Sequence, residues 1–522
     1  MRRKLCALAR ALIWIAVCAG PLPGAEPELA PALTVRLVHP DLQGERLLKL
    51  FERARAPHPA AALAAWRQAT RDRNPRGLGK GPEALIALFN PEMIAELRLL
   101  HGAELVLGFD PPDGRARWFA TVPQDDGTFA ALATALALTD GTSEAALGDA
   151  LVDRLGRPGS ALMARRGTSV VAAGSRDDLV LGLARLRIPP TSTWPPLDCG
   201  ALFRLDPAAL GASGPLPRKR LAEALRALGC QRVDGRATLK DETLSVALNG
   251  RFGSPPPGTG TIDPAWLEWV PARRSLAAFA MAIDPRPEAW DAAFAAADRV
   301  ERMDPAKANV APLRTRINLV ALAAKVQPEV ELWPRLLGVS ACVTADPAGS
   351  IDGALIALHA TDAAAAERIS TRVVPALARP FLSQRPADPP APDGAALVVL
   401  GQLSGRALAV SRQGTTVLIG WNGILSDCLD AQSHPQHSAG PALSANWGGN
   451  RPHRFGALWP GRVPVLTAAS APAAFALAEA PAIVWTGRIE GTSTRDEVFI
   501  IGLRAVVRRF LERLPMKVGD GG

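Results

Sequence analysis

At 522 residues and 48% hydrophobic composition, the chain can form two or three domains that each bury a core, which excludes disorder over the whole. The formal net charge is +9, but four basic residues, Arg2, Arg3, Lys4 and Arg10, lie in the first ten positions, and the remaining +5 is interleaved with acids. Without a run of five or more like charges, the sequence offers no grip for a phosphate backbone, and nucleic-acid partners are excluded from the expectation.

The N-terminus reads as a secretory signal over residues 1–25. Met1-Arg2-Arg3-Lys4 is a positive lead, Ala11 to Ala19 is an apolar core, and Val17-Cys18-Ala19 or Pro23-Gly24-Ala25 offers small residues for cleavage. The apolar run is too short to span a bilayer comfortably, so the expectation is a periplasmic or extracellular protein with no integral segment after cleavage. Export permits disulfides. Cys199, Cys230, Cys342 and Cys428 follow the leader, two in each half, so Cys199–Cys230 and Cys342–Cys428 bridges stand as one reading. Four buried free thiols are the simpler one.

In the first half, Ala32 to Val38 predicts an opening strand, Asp177 to Leu186 and Arg218 to Leu228 predict helices, and Gln231 to Phe252 predicts a hairpin. Gly253 to Asp263 (GSPPPGTGTID) can continue neither element and marks the boundary. Residues 26–252 are then one repeat, 253–265 a linker and 266–522 a second repeat. In the second half, Ser275 to Asp284 reads as a strand, Glu288 to Val300 as a helix, and Leu313 to Leu337 as helix broken near Pro328. Two strands follow, Gly338 to Ala345 and Gly353 to Ala360, then a helix over Ala363 to Leu377 capped by Asp362. A Pro-rich loop (Pro380 to Pro392) precedes a hairpin of Ala396 to Leu403 with Arg406 to Gly420, and a helix begins near Ile424. Ala431 to Arg451 reads as a long loop, Pro481 to Leu503 as a hairpin turning near Gly491, and Ala505 to Leu514 as a terminal amphipathic helix.

Short motifs recur in the same order in the two halves. Asn90-Pro91-Glu92-Met93 is echoed by Gln327-Pro328-Glu329-Val330, and Phe109-Asp110-Pro111 by Ala345-Asp346-Pro347. Arg166-Gly167-Thr168-Ser169-Val170-Val171 is echoed by Gln413-Gly414-Thr415-Thr416-Val417-Leu418, Gly200-Ala201-Leu202-Phe203 by Gly456-Ala457-Leu458-Trp459, and Asp241-Glu242-Thr243-Leu244 by Asp496-Glu497-Val498-Phe499. So long a period describes two copies of a domain, not a solenoid. Strands come in pairs between helices, so the fold class is α+β: two tandem, structurally similar lobes of antiparallel sheet packed with helices on one face.

The chemistry-bearing motifs are sparse. His434-Pro435-Gln436-His437, with Asp427, Asp430 and His453 nearby, is the densest set of potential ligands; two histidines three apart can share an ion only on a helix or a tight turn, and Pro435 argues against the helix. His434 and His437 are therefore weak metal candidates in an expected loop. Gly401-Gln402-Leu403-Ser404-Gly405 lacks the spacing of a nucleophile elbow, and Gly77-Leu78-Gly79-Lys80-Gly81-Pro82 lacks the hydroxyl that follows the lysine of a phosphate loop. The acidic pairs Asp125-Asp126 and Asp177-Asp178 read as helix starts, and Trp266, Trp269, Trp447 and Trp459 as packing aromatics. No catalytic set and no cofactor is predicted.

The strand ending Ala282-Ile283-Asp284, the stretch Trp333-Pro334-Arg335-Leu336 and the unit Ala407 to Leu429 together resemble the DUF3352-like group of exported bacterial proteins of unknown function. That resemblance implies location and architecture, and carries no catalytic residues. The function read from the sequence is an exported, non-enzymatic protein that binds another protein or an envelope component. The alternatives are an exported hydrolase of unrecognised type, with its site in Ala431 to Arg451 or between the lobes, and membrane-surface association through Arg504 to Arg513.

Overall fold

The computed structural model describes residues 31–54, 100–110, 115–123, 143–147, 150–154, 162–167, 169–186, 199–210, 222–223, 225–253, 260–302, 310–345, 351–383, 397–447, 451–463 and 480–512. The expected signal segment, the Asn90-Pro91 motif, the loop Gly77 to Pro82, Asp125-Asp126 and the linker prolines lie outside the described residues.

The chain folds into two compact units. The first takes the chain up to Arg226, Cys230–Gly250 and everything from Gly502 onward; the second takes Ala227–Gly229 and Arg251–Ile501. The first unit carries β1 (Leu33–Leu37), β2 (Glu104–Asp110), β3 (Arg115–Val122), β4 (Ser143–Leu147) and β5 (Ala150–Arg154), then β6 (Leu162–Arg166), β7 (Ser169–Ala173), β8 (Ala201–Leu205), β9 (Cys230–Lys240) and β10 (Thr243–Phe252). Antiparallel pairing gives the order β4-β5-β6-β7-β3-β2-β1-β8-β9, with β10 beside β9.

The second unit carries β11 (Ser275–Ala282), β12 (Leu336–Ala345), β13 (Ile351–Ala360), β14 (Leu397–Leu403), β15 (Arg406–Gln413), β16 (Thr416–Trp421), β17 (Arg454–Leu458), β18 (Ala482–Glu490) and β19 (Ser493–Ile501). Its order is β14-β15-β16-β13-β12-β11-β17-β18-β19. Apart from the extra edge strand β4, the two orders are the same.

Local sequence explains the elements. In each unit the opening strand hands over to a helix that begins on a proline, α1 (Pro40–Arg53) and α3 (Pro287–Glu301), because a first-turn proline forfeits no helical hydrogen bond. In the second unit α4 (Leu313–Ala323) follows α3 directly; after later hairpins come α2 (Arg176–Arg185) in the first unit and, in the second, α5 (Ala363–Arg368, widening through Ile369–Val373 and closing at Val374–Ala378), α6 (Asn422–Ser433) and α7 (Gly440–Ser444). Asp362 caps α5 as its sequence position predicts, accepting the Ala365 amide at 2.7 Å. The terminal helix α8 (Leu503–Glu512) joins the first unit, packs on α1, and is tied to the β9–β10 turn through the Leu503 amide donating to the Glu242 carbonyl at 2.9 Å.

The turns locate the true correspondence between the halves. Gly167 and Gly414 close the β6–β7 and β15–β16 turns in the left-handed region, at φ of 59° and 57°, so this motif match marks the same turn twice. The stretch Arg406 to Gly420, expected as one strand of a hairpin, is accordingly two strands. Two other matches do not align. Phe203 of β8 pairs with Val35, and the residue in its place in the second unit is Gly456, which pairs with Phe279. Asp241 stands in the β9–β10 turn at φ 51°, where the second unit has Gly491 at φ 60°; Asp496 lies in mid-strand β19. Both mismatches came from common residue types recurring off register.

In the second unit the core lies on both faces of the sheet, not one. Leu355, Ala357, Ala409 and Leu418 pack with Ile424, Leu425 and Cys428 of α6. On the opposite face Val410 and Val417 pack with Ala365, Ala366 and Ile369 of α5, whose small residues let the helix approach closely. The expected loop Ala431 to Arg451 is instead the end of α6, a tight turn at Pro435–His437, α7 and a further turn at Ala445–Trp447, with residues 448–450 outside the described set.

Candidate functional site

Three polar constellations and one apolar face of the second unit stand out. The first holds the weak metal candidates. Asp430 lies in α6, His434 caps that helix four residues later, and the tight turn started by Pro435 brings His437 back to the same place. His434 Nδ1 lies 3.0 Å from one oxygen of Asp430 and His437 Nδ1 lies 2.6 Å from the other. The hydrogen bond from His437 holds the Asp430 carboxyl below its ordinary range. The proline that argues against a helix here is what turns the chain to bring them together, with ring centroids 5.4 Å apart. Asp427 and His453 do not join them. Asp427 pairs with Arg274, and His453 accepts the Ile489 amide at 3.0 Å.

The second constellation was not foreseen. Ser340 of β12 lies 2.6 Å from His359 Nε2 of β13, and Thr416 of β16 lies 3.1 Å from Nδ1. A serine beside an oriented imidazole has the makings of an activated nucleophile. Here it is sealed, with Ser340 at 0% and His359 at 1% exposure. Burial pushes the imidazole pKa down to about 3. The Ser340 hydroxyl is also within reach of the Trp266 carbonyl at 3.3 Å, and the direction of its contact with Nε2 follows the ring tautomer. Trp266 stacks on the ring at 4.2 Å and 4°, and fits against Gly338, where a Cβ would come within 2.2 Å of the indole. The set pins three neighbouring strands. Its sequence signal was a polar residue at an inward position in each, visible only once the strands are paired.

The third set clamps a sheet end to α6. Arg274 bonds to both Asp352 and Asp427, and Thr344 donates to Asp352 at 2.7 Å. Close by, Ser275 Oγ lies 3.2 Å from the Cys342 thiol. Cys199, Cys230, Cys342 and Cys428 are buried, with no disulfide among them. Burial raises the Cys342 pKa to about 11 and that of Cys428 further. In the first unit, Asp178 of the Asp177-Asp178 pair does more than begin a helix. Ser175 is the cap of α2, and buried Asp178 accepts Arg117 Nε at 2.8 Å, burial raising its pKa against that pairing.

The apolar face lies on the side of the sheet that carries α5, which buries Val410 and packs beside Ile419. Strand register places Val498, Trp485, Gly456, Phe279, Ala341, Ile356, Ile419, Val410 and Val398 in one row on the side away from α6. Phe279, Ile356 and Val398 are 38%, 46% and 52% exposed. Each strand alone shows only alternation, so the row was not legible before pairing.

No helix among the described residues is long and apolar enough to cross a membrane. No family model matches the chain, and no curated protein matches it. Solved structures do: three crystal forms of TP0453, which are 10–11% identical, cover 43% of this chain and 76–78% of theirs, with TM-scores of 0.22–0.23. At those scores no common fold is established.

Proposed function

We infer that the chain is an exported, non-enzymatic binding protein of the cell envelope, whose second unit receives the apolar surface of a protein partner. The observation that carries this is the part of the uncharged row that α5 leaves open, where Phe279 and Ile356 on either side of Ala341 are presented to solvent on a pleated face. Exposed apolar patches of this kind mark interaction surfaces, and a row free of charge suits an apolar partner, not an ionic ligand. Supporting it, the polar sets do not recur: Glu104, Pro123 and Ser169 occupy the positions that match Ser340, His359 and Thr416. The strand order is what the halves have in common.

The test is cross-linking in the envelope fraction of wild type beside the double variant Phe279→Asp, Ile356→Asp, with unfolding curves as the fold control. The reading expects one protein adduct that the folded variant loses. Adducts equal in both, recovery on lipid vesicles alone, or turnover in a hydrolase substrate panel would each overturn it.

A further inference from the structure

We propose that Asp430, His434 and His437 form a binding site for a divalent transition ion of the zinc class. One carboxylate and two imidazoles supply ligand atoms that all lie within 4.8 Å of one another. Imidazole nitrogens with a carboxylate oxygen suit Zn²⁺, Ni²⁺ or Cu²⁺ and discriminate against Ca²⁺ and Mg²⁺, which prefer all-oxygen sets. All three side chains are about half exposed, so a hydrated ion can reach them and waters can complete its coordination.

The backbone beneath the ligands is held in place, which separates this set from a chance meeting of surface residues. Asp430 and His434 sit one helical turn apart, and the His434 amide donates to the Asp430 carbonyl at 2.9 Å. The α6 helix is anchored by Ile424, Leu425 and Cys428 in the core. The turn bearing His437 is fastened on both sides to one segment: the Ala272 amide donates to the His437 carbonyl at 2.8 Å, and the Ala439 amide to the Val270 carbonyl at 2.8 Å. With the main chain fixed, contraction of the ligand atoms to the ~2.0–2.2 Å metal distances requires only rotation of exposed side chains. Both Nδ1 atoms already face the same carboxylate, so an ion would replace protons in an existing arrangement.

The experiment is competition of the full chain with a chromogenic chelator for Zn²⁺, together with unfolding curves with and without the ion. Expected are one equivalent bound, a rise in unfolding temperature with Zn²⁺, and an affinity loss of about tenfold or more in each of His434→Ala, His437→Ala and Asp430→Asn. The variants should unfold as wild type without metal, since the replaced side chains are exposed. His39, whose ring lies 5.1 Å from that of His101 in the first unit, provides the control. Absence of stoichiometric binding, binding equal in wild type and the His434→Ala, His437→Ala double variant, or loss only in His39→Ala would each overturn the proposal. Because the face row is untouched, failure here leaves the partner-binding reading standing, and the reverse holds.

Discussion

The two units draw the same strand order and solve the same packing problems with different side chains. Where the third strand meets the helix after the turn glycine, the first unit places Arg117 against buried Asp178, while the second has Gly353, whose missing side chain is filled by Ile424: a Cβ there would lie 1.3 Å from Ile424 Cδ1. Where the strand paired to the opening strand meets its outer neighbour, the first unit sets Phe203 over Gly235 and the second sets Trp485 over Gly456. The aromatic changes strands and the pair survives. A fold of this kind therefore fixes the volume at each place and leaves open which element supplies it, and whether an ion pair or a hydrocarbon fills it.

The ion pair should be the costlier solution to break. Asp178→Ala leaves the Arg117 guanidinium largely buried without its carboxylate, and should lower stability by about 4 kcal/mol. Replacing both, Arg117→Met with Asp178→Leu, fills the place with hydrocarbon, as Ile424 does in the second unit, and should recover most of the loss. Hydrogen exchange of β3 and α2 reads this directly, since one melting temperature for a two-unit chain mixes both. If the double variant is as unstable as the single, the two solutions are not interchangeable and the comparison fails.

Acid should separate the units next. His359 has a folded pKa of about 3 against an ordinary 6.5, so below pH 6.5 the unfolded chain takes a proton that the folded chain refuses. Stability is complete above 6.5 and falls as the pH drops toward 3, with about 3 kcal/mol lost by pH 4. The matching position in the first unit is Pro123, so the loss belongs to β12, β13 and β16. Asp178 is shifted the other way for an acid, and protonating it relieves a burial cost. Exchange at pH 4.5 should accordingly accelerate in β12–β13 more than in β2–β3, and His359→Gln should flatten the difference. Equal acceleration in both hairpins would contradict the assignment.

The aromatic swap is worth less, because both rings are only partly buried. Trp485→Ala and Phe203→Ala should each cost about 2 kcal/mol, below the range for a fully buried aromatic, measured by denaturant unfolding with exchange to locate it. Moving the second pair to the first unit's arrangement, Gly456→Phe with Trp485→Gly, should cost less than Trp485→Ala alone.

Much of this architecture was readable from residues whose physics is local. Strands such as Ser275 to Ala282 and the helix Pro287–Glu301 follow from periodicity, the Asp362 cap from its position, and the last hairpin from Gly491, whereas the turn at Gly414 inside Arg406 to Gly420 was missed. What could not be read depends on pairing. Ser340, His359 and Thr416 are far apart in the chain and meet only because β12, β13 and β16 are neighbours. The Asp430–His437 turn failed for the opposite reason: Pro435 argues against helix, and the tight turn that it starts, the other geometry able to join the two histidines, leaves no periodic signal in the sequence.

The smallest effect tests the correspondence itself. If the β9–β10 and β18–β19 turns are the same turn, as register requires and the motif match at Asp496 did not, then Asp241 and Gly491 bear the same left-handed backbone with different tolerance for it. A side chain in that region costs on the order of 1 kcal/mol, less for Asp than for Ala because its short polar chain bonds locally. Gly491→Ala should therefore destabilise its hairpin by about 1 kcal/mol, while Asp241→Gly should be neutral or slightly stabilising, the strain it relieves offsetting the entropy it adds to the unfolded chain. Opposite signs at the two positions, read by exchange of the flanking amides, would mark one turn used twice. Equal losses at both would mean that Asp241 makes contacts Gly491 does not need, and that the two hairpins have diverged beyond their strand order.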